Sequence, residues 1–281
     1  MQVIKKSDRL IEICRFYTNQ KMTIGFVPTM GALHQGHLSL VQEAQKLSDI
    51  VVTSIFVNPA QFNNSDDLKN YPRTISNDLI LLEKVGCNIV FIPDVEEVYP
   101  SDLTFPEFDL AHLDKIMEGS YRPGHFEGVA KVVYRFLDLL KPHKLFLGQK
   151  DYQQVKVIES LINQTTLQTK VYMCPTVRNS NGLAKSSRNT RLSESEKVNA
   201  SYIYEALKAL IESLEYEPLN VSEKKAIQLI EEKTAGEVEY LEVYDLELKN
   251  KMIDYKPGKQ AIVCVAVKVG DVRLIDNLII S

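Results

Sequence analysis

The chain has 281 residues, of which 44% are hydrophobic and 25% are charged, and its formal net charge at pH 7 is −4. This composition excludes a disordered, collagen-like or membrane-embedded protein, and the negative charge disfavours a general nucleic-acid binder. The length suits two modest domains, or one large domain with a smaller addition. Small molecules are therefore the expected partners.

Cysteine spacing and hydropathy indicate the compartment. Cys14, Cys87, Cys174 and Cys264 are widely separated, which disfavours zinc sites, redox pairs and a disulfide framework and predicts reduced, buried thiols. The N-terminal segment lacks the apolar core of a signal peptide, and no apolar run approaches the roughly 18 residues of a membrane span. We expect a cytoplasmic protein that binds neither a membrane nor a nucleic acid.

Short apolar, β-branched runs alternate with helical periodicity in the first part of the chain. The runs predict strands at 22–27, 49–57, 88–92, 144–147 and 169–173. The segments between them predict helices at 36–47, 75–85, 126–140 and 152–166. Nearly continuous apolar strands separated by helices indicate a parallel sheet covered on both faces. The predicted class is therefore α/β, a Rossmann-like doubly wound sheet that binds ligands beyond the carboxyl ends of its strands.

The composition of the sequence changes near residue 175, where a polar loop rich in Ser, Asn and Arg begins. A capping box at Ser193 and Glu196 predicts a helix that runs to about residue 214. Further patterns predict a helix at 223–234 and strands at 238–246, 261–269 and 272–279, with Gly270-Asp271 as a hairpin turn. We therefore predict a smaller α+β domain at 176–281 after a first domain at 1–175.

The segment Met30–His37 reads as a turn from a strand into a helix. A helix N-terminus presents unpaired N–H groups and the positive end of the helix dipole, so an anion fits there. His34 and His37 are three residues apart and can share one face, where imidazole can donate to a phosphoryl group. The alternative is that both histidines only cap the helix. A zinc site is not expected, because the chain has only five histidines and lacks H-E-x-x-H.

Two further segments carry polar side chains near predicted strand and helix ends. Asn58 and Gln61 follow the second strand, where their amides suit a polar ligand or satisfy a backbone turn. Tyr71 lies in Y-P-R-T just before a predicted helix. Asp78, in the first turn of that helix, either assists a Mg²⁺ ion or caps the helix.

Charged residues introduce the next two helices. Arg122 and His125 lie in a Gly- and Pro-containing loop, and Arg122 suits a carboxylate or a phosphate. Lys150 and Asp151 follow the fourth strand through Gly148, with Gln154 one turn later. Lys150 suits transferring phosphates and Asp151 suits a helix cap or a ribose hydroxyl, although both can be solvated surface charges.

The loop that begins the smaller domain combines P-T-V-R at 175–178 with G-L-A-K-S-S-R-N at 182–189. Its Ser hydroxyls, Lys185 and Arg188 form a set suited to gripping phosphates. A mobile loop at this place could close over a bound nucleotide and exclude water.

These motifs, in order and approximate spacing, resemble the pantothenate synthetase (pantoate–β-alanine ligase) family over nearly the whole chain. They are P-T-M-G-A-L-H-x-G-H, F-V-N-P-x-Q-F, Y-P-R-T, R-P-G-H-F-x-G-V, G-x-K-D-x-Q-Q and P-T-V-R…G-L-A-x-S-S-R-N. One short motif is weak support, whereas six in one order are highly specific. The family belongs to the H-x-G-H nucleotidyltransferases, which include class I aminoacyl-tRNA synthetases.

The resemblance implies a two-step ligation. ATP and (R)-pantoate give an enzyme-bound pantoyl adenylate and pyrophosphate, and β-alanine then releases pantothenate and AMP. It also implies a Mg²⁺ requirement, a homodimer, a nucleotide- and pantoate-binding first domain, and a smaller domain that acts as a lid.

The resemblance also implies roles for individual residues. It assigns to the ATP site Met30, Gly31, Ala32, Leu33, His34, Gln35, Gly36, His37, Gly148, Gln149, Lys150, Asp151, Val177, Lys185, Ser186, Ser187 and Arg188. Stabilisation of charge on the α-phosphate is expected from His34, His37, Lys150, Ser186, Ser187 and Arg188, with His37 at the position usually assigned as proton donor. Pantoate is expected at Gln61 and Gln154, with Gln61 also near β-alanine, and with Asn58, Tyr71, Arg122 and His125 as further candidates.

The chain departs from the family pattern at three positions. Lys185 stands where the family usually has Met, Lys131 stands where Thr is common, and Asn77 stands where an acidic residue is sometimes seen. The change at Asn77 weakens any assignment of metal ligands nearby. We hypothesise that Lys185 places a cation near the triphosphate and tightens ATP binding.

Two other functions fit parts of the pattern. A different H-x-G-H nucleotidyltransferase, acting on a phosphorylated cofactor precursor, would need more cations than Gln61 and Gln154 supply. A nucleotide-binding regulator with a degraded site is disfavoured, because both histidines, Lys150 and the Ser-Ser-Arg loop are intact.

Overall fold

The computed structural model describes residues 1–63 and 65–281. The strands are β1 Gln2–Ile4, β2 Ile24–Thr29, β3 Ile50–Ile55, β4 Ile89–Phe91, β5 Lys144–Gly148, β6 Lys170–Cys174, β7 Glu237–Tyr244, β8 Ala261–Val269 and β9 Val272–Ile280. The α-helices are α1 Ser7–Asn19, α2 Gln35–Leu47, α3 Ser65–Asn70, α4 Ile75–Lys84, α5 Val95–Val98, α6 Met117–Tyr121, α7 His125–Leu140, α8 Tyr152–Asn163, α9 Glu194–Ala200, α10 Tyr202–Ser213 and α11 Leu219–Thr234. Short 3₁₀ turns lie at Pro59–Gln61, Gln149–Asp151 and Ser187–Arg191.

Two compact units divide the chain. The first contains residues 1–148 and 153–174, and the second contains residues 149–152 and 175–281. The second unit therefore includes the 3₁₀ turn that carries Lys150, although that turn directly follows β5 in sequence. The roles predicted for domains 1–175 and 176–281, substrate binding and a lid, stay predictions.

The first unit is built on a six-stranded sheet in the order β1-β4-β3-β2-β5-β6, and every strand pair is parallel. From β2 the chain adds β3 and β4 on one side and then β5 and β6 on the other, so the strand order reverses at β2. All six residues of β3 are buried, and four of them are Ile or Val, while the other two are the small polar residues Thr53 and Ser54. The predicted Rossmann-like α/β class is confirmed, and such sheets bind ligands where the strand order reverses.

The sequence patterns missed the start of the first unit. They predicted five strands, whereas β1 adds a sixth at the edge by pairing Gln2, Val3 and Ile4 with β4. The strand is three residues long and only Ile4 is buried, so its apolar pattern is too short to recognise. The helix α1 was also missed.

A cluster of aromatic rings joins the sheet to α7. The ring of Phe136 in α7 packs edge to face against three other rings. The distance between ring centroids is 5.8 Å to Phe26 in β2, 6.0 Å to Phe56 directly after β3, and 6.0 Å to Phe91 in β4. Such pairs contribute about 0.5–1.5 kcal/mol each beyond the area they bury. A second cluster, which includes residues of α2, α4 and the strands, is equally buried. The core therefore fixes both α2 and α7, which lead away from the candidate site.

The second unit combines helices with the antiparallel sheet β7-β8-β9. Val269 pairs with Val272 across the turn Gly270-Asp271, and Gly270 has a φ of 54°, so the predicted hairpin is confirmed. The helix predicted from residue 193 to about 214 is instead two helices, α9 and α10, separated at Ser201. Ser201 bonds through its hydroxyl to the carbonyl of Val198 (2.6 Å), and such local bonds compete with a continuous helix. The α11 helix begins at Leu219, earlier than predicted.

Across the described part of the chain, we find no helix with both the length and the apolar character that a membrane crossing requires.

Candidate active site

The turn from β2 into α2 brings the two predicted histidines into contact. The amide of Gly36 donates to Nδ1 of His34 (3.1 Å), and the amide of His34 donates to Nδ1 of His37 (3.3 Å). Their ring centroids are 4.1 Å apart. Because both Nδ1 atoms accept, the neutral rings carry their protons on Nε2. Each ring therefore caps the start of the helix through Nδ1. Donation from Nε2 to a phosphoryl group stays a prediction.

The backbone before these histidines is held in an uncommon conformation. Gly31 and Ala32 both have positive φ, at 78° and 49°. The carboxylate of Asp78 accepts from the amides of Ala32 (3.0 Å) and Leu33 (2.8 Å), and from the hydroxyl of Thr74 (3.1 Å). Asp78 is completely buried. The metal role suggested for Asp78 therefore finds no support, since its carboxylate is already used by the turn.

Asn58 and Gln61 lie together at the end of β3. Asn58 is 1% exposed, and its amide nitrogen donates to Oε1 of Gln61 (3.2 Å) and to the carbonyl of Gly128 (3.1 Å). Its oxygen accepts from the amide of Ala60 (3.2 Å) and from the hydroxyl of Tyr99 (2.8 Å). All four hydrogen-bonding positions of Asn58 are occupied, so it positions Gln61 rather than offering its own amide to a ligand.

The amide nitrogen of Gln61 lies 3.1 Å from the sulfur of Met30, in the turn that leads to the histidines. This contact brings the predicted pantoate residue and the predicted ATP segment together. Tyr71 is buried and packs edge to face on Phe62, the residue after Gln61, with ring centroids 5.7 Å apart.

Burial raises the pKa of the Tyr99 hydroxyl, which donates to Asn58, to about 12. The hydrogen bond to Asn58 has a smaller effect on this pKa, in the opposite direction.

Arg122 and His125 also act on the Gln61 turn. Nδ1 of His125 lies 2.8 Å from the carbonyl oxygen of Gln61, so this nitrogen carries a proton and donates it. Nε2 then accepts from the guanidinium of Arg122 (3.1 Å), which also lies 3.5 Å from the carboxylate of Glu118. The described contacts thus place both predicted residues behind Gln61, where they fix its backbone.

The two glutamines at the start of α8 differ in their surroundings. Gln153 is buried and donates to the carbonyls of Leu113 (2.7 Å) and Ile116 (2.9 Å), while its oxygen accepts from the amide of Glu118 (3.0 Å). Gln154, the predicted pantoate residue, is half-buried. Successive side chains of a helix point about 100° apart, so two adjacent glutamines, Gln153 and Gln154, are expected to face different surroundings. The structural role of Gln153 was missed.

Within the second unit, strand β9 holds the turn that carries Lys150. The amide nitrogen of Asn277 donates to the carbonyls of Gln149 and Lys150, each at 2.9 Å, and Nε2 of Gln149 donates to Asn277 (3.2 Å). The ammonium group of Lys150 lies 3.5 Å from the carboxylate of Asp151. Asn277 is 2% exposed and was not identified from the sequence, because it lies more than a hundred residues from its partners.

The neighbouring residue of β9 holds the loop with Val177 and Lys185. Asp276 accepts from both guanidinium nitrogens of Arg178, at 2.5 and 2.8 Å, and the guanidinium stacks 4.0 Å from the ring centroid of Tyr204. The amide of Lys185 donates to the carbonyl of Val177 (2.9 Å). Half-buried residues at the end of this loop are Lys185, Ser186, Ser187 and Arg188. The oxygen of Ser186 caps the following 3₁₀ turn by accepting from the amide of Arg188 (3.2 Å).

Comparison with known proteins identifies the family. The profile described as Pantoate-beta-alanine ligase matches residues 2–279. The chain belongs to the pantoate–β-alanine ligase family. The pantothenate synthetase of Cytophaga hutchinsonii is 42% identical over 260 residues, which cover 92% of each chain.

Two solved structures of pantoate–β-alanine ligases are similar to this chain. Pantothenate synthetase from Thermus thermophilus has a TM-score of 0.91 and 35% identity and is covered over 99% of both chains. Pantoate-beta-alanine ligase from Francisella tularensis, complexed with beta-gamma ATP and β-alanine, has a TM-score of 0.81 and 34% identity, covering 99% of this chain and 97% of that one. The family predicted from the sequence motifs is confirmed.

Proposed function

We propose that this chain joins (R)-pantoate to β-alanine at the expense of ATP, through an enzyme-bound pantoyl adenylate, and releases pantothenate, AMP and pyrophosphate. The observation that carries the proposal is the reciprocal cap of His34 and His37, which fixes both rings at the start of α2 with Nδ1 as the acceptor. Membership of the ligase family and the beta-gamma ATP and β-alanine complex of the Francisella relative support the same reaction.

In the first step, a carboxylate oxygen of pantoate attacks the α-phosphorus of ATP. The bond from this phosphorus to the bridging oxygen breaks, and pyrophosphate leaves with the electron pair. A carboxylate is already an adequate nucleophile, so the protein has to supply position and charge stabilisation rather than a base. The Nε2–H groups of His34 and His37 suit donation to phosphate oxygens, where preorganised donors contribute most. The amide of Gln61 suits the hydroxyl and carboxylate groups of pantoate.

In the second step, the amine of β-alanine attacks the carbonyl carbon of the mixed anhydride. The amide bond forms, the amine loses a proton, and AMP departs. The motif match alone supports a role as ATP ligands for five cationic or hydroxyl residues, which are Lys150, Lys185, Ser186, Ser187 and Arg188.

A Mg²⁺ ion would neutralise charge on the ATP phosphates. Residues 1–63 and 65–281 contain no group of three or more His, Cys, Asp or Glu side chains arranged to hold a metal ion. We propose that Mg²⁺ arrives with ATP, bound mainly by phosphate oxygens and water. A homodimer is proposed on the family resemblance.

Pyrophosphate release with ATP and pantoate, with and without β-alanine, tests the proposal, together with chromatographic detection of AMP and pantothenate. Pantothenate and AMP should form only when all three substrates are present. Release driven equally well by unrelated carboxylic acids would overturn the assignment. Binding of ATP without turnover, measured by titration calorimetry, would favour a nucleotide-binding regulator.

A pair of histidine variants sharpens the same assay. His37→Ala should lower kcat for adenylate formation by roughly 10²-fold, the usual effect of removing one preorganised donor. His143→Ala is the matched control, because Nδ1 of His143 accepts the amide of Ile24 (3.0 Å) at the opposite end of β2. Its kcat should match that of the wild type.

A further inference from the structure

Asp78 supports the active-site turn from inside the first unit. Oδ1 accepts from the amide of Leu33 (2.8 Å) and the hydroxyl of Thr74 (3.1 Å), and Oδ2 accepts from the amide of Ala32 (3.0 Å). The side chain is 0% exposed. Asp78 belongs to the first turn of α4, where its own amide bonds to the carbonyl of Thr74 (2.9 Å). The carboxylate thus links the start of α4 to the turn between β2 and α2.

The conformation of the turn explains why it needs this carboxylate. Gly31 and Ala32 are both left-handed, which is unfavourable for alanine by about 1–2 kcal/mol. Successive amides in such a turn point to one side and create a small anion-binding hollow. In this chain the hollow is filled by the protein's own carboxylate. Leu33, whose amide Asp78 holds, directly precedes His34, the N-cap of α2.

We propose that Asp78 is a positioning residue for His34 and His37, and that it acts through the backbone of the turn rather than as a metal ligand. The inference rests on the proposed function for its catalytic consequence, although its structural part can be measured without any activity. Misplacing a reacting group by about 1 Å costs on the order of 10²-fold in rate. Loosening the turn should therefore lower kcat while leaving the requirement for Mg²⁺ unchanged.

Asp78→Asn is the variant that separates the two roles. The amide keeps the size of the side chain but turns one acceptor oxygen into an NH₂ donor, which then faces a backbone N–H or the Thr74 hydroxyl. Asp49→Asn is the matched control, because Oδ2 of Asp49 accepts the amide and the hydroxyl of Thr23, each at 2.7 Å, at the other end of β2. Thr74→Val removes only one of the three bonds to Asp78 and serves as a milder variant if Asp78→Asn does not fold.

The first measurement is amide hydrogen exchange by NMR on the full chain at pH 7. In Asp78→Asn, the amides of Ala32 and Leu33 should exchange about 10-fold faster or more, whereas those in the middle of α2 should not change. The second is kcat for pyrophosphate release at saturating ATP and pantoate, which should fall by roughly 10²-fold. The third is the Mg²⁺ concentration that gives half-maximal rate, which should stay within about twofold. Asp49→Asn should leave all three measurements as in the wild type, and Thr74→Val should lie between.

The outcomes separate failure of this inference from failure of the proposed function. Unchanged exchange at Ala32 and Leu33, or unchanged kcat in a folded Asp78→Asn protein, would overturn the positioning role. A rise of tenfold or more in half-saturating Mg²⁺ would overturn it in favour of metal binding. If wild-type protein releases no pyrophosphate from these substrates, the proposed function fails, and the exchange data still decide whether Asp78 holds the turn.

Discussion

Gly128 in α7 is in close contact with the turn that carries Gln61, and replacing it with alanine should damage both stability and substrate binding. A Cβ atom at residue 128 would lie 2.2 Å from the carbonyl oxygen of Ala60 and 2.7 Å from the amide nitrogen of Gln61. Carbon–oxygen contacts between backbones are ordinarily about 3.3–3.6 Å, so the helix or the turn must move by about 1 Å. Both contact atoms belong to the backbone and cannot rotate away.

The expected magnitude follows from two contributions. Overpacking of this kind costs about 1–3 kcal/mol. The same movement strains the hydrogen bonds from Asn58 to the Gly128 carbonyl (3.1 Å) and between His125 and the Gln61 carbonyl (2.8 Å). Each is worth about 1 kcal/mol. We expect Gly128→Ala to lower the free energy of unfolding by about 2–4 kcal/mol and kcat/KM for pantoate by about 10²-fold.

Urea unfolding and steady-state kinetics on purified variants test this expectation. Gly148→Ala is the steric control for stability, since a Cβ atom there would meet nothing within 4 Å. Its free energy of unfolding should stay within about 0.5 kcal/mol of the wild-type value. If Gly128→Ala were equally stable and bound pantoate normally, the close approach of α7 to this turn would be wrong.

Three further changes have defined outcomes. Asp276→Ala leaves the half-buried guanidinium of Arg178 without its carboxylate and should lower the free energy of unfolding in urea by about 3 kcal/mol; a loss below about 1 kcal/mol would contradict this. The hydrogen bond from Lys6 is the main reason that the pKa of Glu97 is lowered from 4.5 to about 2, and the hydrogen bond from the backbone amide of Ser7 is the second. The ionised carboxylate of Glu97 therefore stabilises the fold fully above pH 4.5, and this stabilisation disappears as the pH falls towards 2. The difference in Tm between wild type and Glu97→Gln should vanish over that pH interval; a difference that persists would contradict this. Lys185→Met should raise KM for ATP and weaken its salt dependence; unchanged values would make Lys185 a solvated replacement.

Local patterns in the sequence determined the fold class and most of the elements. Buried parallel strands are mostly apolar on both faces, so β3 can be recognised from its Ile and Val residues without knowledge of its partner strands. The hairpin at Gly270 and the cap at His34 are equally local, because their partners lie within three residues along the chain. The six ordered motifs identified the family for the same reason, since each consists of one or two short segments that are close together along the chain.

Only the tertiary structure decided what the polar residues around the site do. Asp78 appeared as a possible metal ligand, yet its carboxylate is used by amides 45 and 46 residues away. Asn277 was not noticed at all, although it holds the Lys150 turn from the last strand. A buried side chain takes its role from the donors and acceptors that folding brings to it. Those partners are distant in sequence, so residue type and spacing predict the chemistry of this site but not which groups hold it in place.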